Sequence, residues 1–99
     1  MALPNSIVDK VNFLLALAKK GEYGEDELKT VLSMTGEHTD NKILGRVFGY
    51  SVSDYALAAL KWLGTDETAK AFQSIYDKLD VVRREEINQL ISEKPYLEY

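Results

Sequence analysis

Few side chains in this sequence of 99 residues have the types and spacing that chemistry needs. The one histidine, His38, stands between Glu37 and Asp40, and these three could be recruited as metal ligands. Near-consecutive loop residues rarely converge on one ion, however, and no second histidine and no cysteine complete a zinc set. As a general base, His38 would need a nucleophile and an orienting partner, and the sequence shows neither. Residues 40–51 place Gly45 at the sixth position of a calcium loop. Lys42 and Leu44 then occupy positions that require oxygen ligands, and Ser51 stands where a glutamate should close the loop, so the calcium reading fails. Gly21 and Gly24 belong to a turn rather than a phosphate loop, because no Gly-Lys-Ser/Thr follows and no strand precedes them. No catalytic group, cofactor or metal is expected, and the chain reads as a non-enzyme.

Charge carries more information. Residues 22–40 hold Glu22, Glu25, Asp26, Glu27, Glu37 and Asp40 against Lys29 alone, a local charge of −5, while the whole chain carries −4. One reading is helix capping and solubility. The other is a docking face for a basic partner, which would speed encounter by electrostatic steering, with Tyr23 as an aromatic anchor. Arg83 and Arg84 precede Glu85 and Glu86 in the first turn of a helix, a position that favours acids over bases, so the arginines give a slight hint of a partner carboxylate or phosphate. An acidic chain lacks the basic field of a nucleic-acid binder. A helix-turn-helix over residues 28–48 would offer Asn41, Lys42 and Arg46 to DNA, but the helix before them is strongly acidic and would face phosphate.

The elements that position these groups follow from apolar spacing and caps. Six helical segments are predicted, over residues 6–20, 25–35, 41–48, 54–63, 66–79 and 82–93. The first is capped by Ser6, carries Ile7, Val11, Leu14, Leu15 and Ala18 on one face, and ends at Gly21. The second buries Leu28, Val31, Leu32 and Thr35, and the third buries Ile43, Leu44, Val47 and Phe48. The fourth, capped by Ser51 or Ser53, is the most apolar and is expected to be central. The fifth, capped by Thr65, turns Ala69, Phe72, Ile75, Tyr76 and Leu79 inward. The sixth, capped by Asp80, buries Ile87, Leu90 and Ile91 and stops before Pro95. Trp62, Tyr50 and Tyr55 belong either to the core or to an interface, and residues 94–99 are expected to fray. No stretch alternates with period two for long enough to make a strand.

Residues 51–93 resemble the helical pairs of HEAT-type repeats. The residues that carry the resemblance are the apolar run 55–63, the tight turn at Gly64, Thr65 and Asp66, a second helix opened by Glu67 with Ala69 and Phe72 on its inner face, and the Arg83-Arg84 start of the last helix. The resemblance implies stacked helices that bind proteins, and it carries over no catalytic residue.

The expectation is therefore an all-α chain, a compact single-domain bundle of five to six short antiparallel helices over residues 1–99. The longest apolar run, residues 13–18, is far short of the roughly 20 residues of a membrane span. It also lacks a basic flank before it, so a cytoplasmic protein made without export is expected. The expected role is protein binding, of the kind that small acidic helical immunity proteins, antitoxins and inhibitors of bacteria perform on basic nucleases. The partner-binding residues would be Glu22, Tyr23, Glu25, Asp26, Glu27, Glu37 and Asp40. A DNA-associated regulator and a structural or phage-assembly component are the alternatives.

Overall fold

The structure is a computed structural model that describes residues 6–37, 46–47 and 49–98. Among the described residues five helices form: α1 (Ile7–Lys20), α2 (Glu25–Met34), α3 (Val52–Leu63), α4 (Asp66–Tyr76) and α5 (Val81–Glu93). A 3₁₀ turn, Pro95–Glu98, closes the described chain. α1, α2, α4 and α5 all pack on α3, so the bundle is built around its most apolar helix. The described helices share one core of buried residues.

α3 is central because of its composition. Every residue from Val52 to Leu60 is buried. A helix apolar on one stripe covers one neighbour, whereas one apolar nearly all round must be enclosed. Ala56, Ala58 and Ala59 supply small surfaces on which neighbouring helices can approach closely. The helix starts at Ser51, whose Oγ accepts the Asp54 N–H at 3.3 Å, while Asp54 Oδ2 accepts the Ser51 N–H at 3.2 Å.

The other helices keep most of their expected faces. α1 buries Val11, Leu14, Leu15 and Ala18, with Ser6 Oγ accepting the Asp9 N–H at 3.0 Å, whereas Ile7, expected on the same face, is exposed in the first turn and Leu17 is buried instead. Gly21 ends it with φ 75, where a side chain would be strained. α2 differs in detail: Val31 and Met34 are buried, and Leu32 is exposed. In α4, Ala69 is exposed and Thr68 takes the inward place. Residues 68, 72, 75 and 76 lie on one face at helical spacing, which turns residue 69 away. Thr68 tolerates burial because Thr65 satisfies it locally: Thr65 N–H donates to Thr68 Oγ1 at 3.0 Å, and Thr68 N–H donates to Thr65 Oγ1 at 3.1 Å.

The expected third helix needs correction. Arg46–Val47 is a short strand, β1, paired antiparallel with β2 (Tyr50–Ser51) in the register Arg46 with Ser51 and Val47 with Tyr50. The turn between them uses Gly49 at φ 88. Glycines at 45 and 49 disfavour a helix here, and valine and tyrosine suit a pleated pair. The remaining residues of that segment, 41–45 and 48, lie outside the described residues. A DNA-reading helix that includes Arg46 is therefore not formed.

The tail also departs from expectation. Pro95–Glu98 packs on α1, and the Tyr96 ring stands 4.8 Å from that of Trp62. Trp62 is tied down as well, its Nε1–H donating to the Ile91 carbonyl at 3.1 Å. Its ring belongs to the fold rather than to a free surface.

Candidate functional site

The acidic segment divides in space. At one end, Glu22, Glu25 and Asp26 are exposed and have no side-chain partner among the described residues. Glu27 caps its own helix, its Oε1 accepting the Gly24 N–H at 2.8 Å. Glu37 is at the far end of α2, some ten residues or about 15 Å of helix away, and pairs with Lys10 of α1. That ion pair neutralises Glu37, so it does not join the face formed by Glu22 to Glu27. Asp40 and His38 lie outside the described residues.

Tyr23 decides what the near end contains. It is half-buried, and its hydroxyl lies 2.7 Å from Thr65 Oγ1 and donates to Glu67 Oε1 at 3.1 Å. Thr65 is the N-cap of α4, and Asp66 and Glu67 occupy the first turn of that helix. Tyr23 thus holds two acidic helix starts side by side. Glu22, Glu25 and Asp26 come from one, Asp66 and Glu67 from the other. The acids of α4 escaped the sequence reading because they are 40 residues further along the chain. Their first-turn clustering after Thr65 was visible, but its proximity to Tyr23 was not. Tyr23→Phe removes both hydroxyl bonds and is expected to cost about 1 kcal/mol of stability, measured by urea unfolding. A loss near zero would show that these bonds contribute nothing to the tie.

The arginine pair has an internal explanation. Arg83 reaches α3, with Nη2 3.0 Å from Ser53 Oγ and 3.3 Å from Asp54 Oδ1. Arg84 covers the end of α4, where Nε donates to the Tyr76 carbonyl at 3.1 Å and Nη2 to the Asp77 carbonyl at 2.8 Å. Its guanidinium also stands 5.2 Å from the centre of the Tyr76 ring. A cation at the carbonyl end of α4 offsets the unfavourable place of the arginine in α5. The slight hint of a partner therefore disappears.

A second cluster joins the β-turn to the end of α5. The Tyr50 hydroxyl donates to Glu93 Oε1, and the Tyr50 and Tyr55 rings meet edge to face at 5.9 Å and 84°. Burial, and then the hydrogen bond to Glu93, push the Tyr50 hydroxyl well above its ordinary value. Burial, with the nearby Glu93 and Asp54 charges, pushes Tyr55 up from 10.0 to about 12. Both phenols stay protonated after their unfolded counterparts ionise. The folded state then binds more protons than the unfolded state, and stability falls as pH rises. The Tyr55 contribution is complete below pH 10 and is lost between pH 10 and about 12, and that of Tyr50 is lost over a window reaching higher still. Urea midpoints should drop across that window together with the rise of tyrosinate absorbance, and Tyr55→Phe should flatten the drop. A midpoint constant through the window would contradict the assignment.

No group of three or more acidic, histidine or cysteine side chains among the described residues is placed to hold a metal ion. No described helix is long and apolar enough to cross a membrane. No protein-family model, no curated protein and no solved structure matches this chain.

Proposed function

We propose that this chain is a non-catalytic protein-binding module of the immunity-protein, antitoxin or inhibitor type, which masks a basic partner such as a nuclease toxin in the bacterial cytoplasm. The observation that carries the reading is the bonding of Tyr23 to Thr65 and Glu67, which gathers the acids of two helix starts into one edge. Glu22, Glu25, Asp26, Asp66 and Glu67 form that edge, and the exposed part of Tyr23 lies within it. The backbone of the two helix starts fixes where these carboxylates emerge, so a basic partner meets them already gathered on one edge. The mechanism is occlusion: the edge occupies the basic groups that the partner uses for its own anionic substrate.

The test neutralises the edge without reversing it, because lysines at a helix start would also destabilise α2. Tagged wild-type protein and a Glu22→Gln/Glu25→Gln/Asp26→Gln variant are used to capture proteins from a lysate of the producing cells. Glu85→Gln, at an exposed site on α5, serves as the control. A basic protein bound by the wild type and the control should associate about tenfold or more slowly with the triple variant at low salt. Equal association with all three would overturn the site, and capture of no basic protein would overturn the reading.

A further inference from the structure

A cleft of about 300 Å³ opens between the start of α3, the end of α5 and the 3₁₀ turn, away from the residues of the acidic edge. Its walls are Tyr50, Tyr55, Leu90, Glu93, Pro95 and Glu98. Two tyrosine rings set edge to face make an aromatic corner, and Leu90 and Pro95 add apolar surface. Two carboxylates line the cleft beside this corner, and among the described residues no lysine, arginine or histidine does. Glu93 uses Oε1 to accept from Tyr50, while its Oε2 has no hydrogen bond among the described residues. Glu98 has no side-chain partner among them either.

That combination selects its ligand by charge and surface. Two carboxylates with no compensating cation among the described lining residues repel an anion. A neutral ligand would leave both charges uncompensated as water is displaced. A bare divalent ion requires six or more oxygens, and most of the lining surface is apolar. A cation with an apolar body satisfies both features, because its charge faces the carboxylates and its body lies against the rings. The volume is at the small end of the range for ligand sites, which limits the guest to a small group. We propose that this cleft binds a small organic cation, an ammonium or guanidinium group carried either by a free molecule or at the tip of a basic side chain. This site stands independently of the acidic edge.

Titration of the full chain with benzyltrimethylammonium, with Nα-acetyl-lysine amide and with uncharged benzyl alcohol, followed by NMR, tests the proposal. The cations should shift the ring signals of Tyr50 and Tyr55 saturably, and benzyl alcohol should not. Tighter binding of benzyltrimethylammonium assigns the site to a free cation, and tighter binding of the capped lysine assigns it to a side chain. Glu93→Gln keeps an acceptor for the Tyr50 hydroxyl and should weaken cation binding about tenfold, as expected for loss of a partly desolvated charge pair. Glu98→Gln should also weaken it, and it decides the question if the Glu93 variant fails to fold. The Glu22→Gln/Glu25→Gln/Asp26→Gln variant should bind the cations unchanged, which separates this site from the docking edge. Absence of saturable shifts, or equal binding of benzyl alcohol, overturns the proposal.

Discussion

Asp54→Ala is expected to lower the unfolding free energy by about 3 kcal/mol, near the lower bound for removing one member of a buried charge pair. The Asp54 side chain is fully enclosed, and Oδ1 lies 3.3 Å from Arg83 Nη2. The Arg83 side chain retains 16% of its exposure, so water recovers part of its charge and keeps the loss from the upper end of the range. Two separate losses add to the cost. The Ser51 N–H loses its acceptor at the start of α3. The Arg83 guanidinium, whose Nε has no acceptor among the described residues, is left with only the Ser53 hydroxyl. Urea unfolding measures the effect, and Asp54→Asn should recover part of it by keeping the shape and one acceptor. Arg83→Met on the Asp54→Ala background should restore stability relative to Asp54→Ala alone, because no unpaired charge then remains. A loss below about 1 kcal/mol for Asp54→Ala would mean that the pair is solvated rather than buried.

Leu57→Ala is expected to cost about 2–5 kcal/mol, the range for deleting a buried leucine side chain. Leu57 is fully buried within the stretch of α3, residues 52–60, that is wholly buried. α1, α2, α4 and α5 all pack on α3, so filling the vacated space would require shifting packed helices. A domain of this size has about 5–15 kcal/mol of stability in total, so the variant loses a large share of it. The complementary change, Ala58→Leu, adds volume where none is available and should cost about 1–3 kcal/mol. Thermal and urea unfolding check both. If Ala58→Leu were neutral, the close approach of helices on the small face of α3 would be wrong.

Much of the bundle was legible in the residues themselves. The α1 stripe of Val11, Leu14, Leu15 and Ala18 follows from 3.6-residue spacing alone, and Ser6, Gly21, Ser51, Thr65 and Asp80 mark helix ends by their own side-chain or backbone chemistry. The central place of α3 follows from the apolar run 55–63, interrupted only by Lys61. These are local properties, since each depends on residues within a few positions of one another. Where local signals were weak or conflicted, the reading failed. Residues 46–47 carry no strand pattern long enough to read, and their pairing depends on the partner at 50–51. Thr68 and Ala69 point about 100° apart around α4, and the inward place of Phe72, Ile75 and Tyr76 decides that Thr68 is the one buried.

The site was legible as a list of charges and not as an arrangement. Sequence by itself determined that the chain is helical, that it is acidic, that residues 22–40 concentrate the acidic charge, and that no catalytic set stands out. Only the tertiary structure decided that Glu37 is neutralised by Lys10, that Tyr23 brings the acids of α4 beside those of α2, and that Arg83 and Arg84 serve the interior. It alone placed Tyr50 of the β-turn against Glu93 at the end of α5. The physical reason is the same in each case. Helix formation and capping are set by neighbours along the chain, whereas an ion pair or a cleft between elements is set by which helix faces meet, and that is decided by packing around α3.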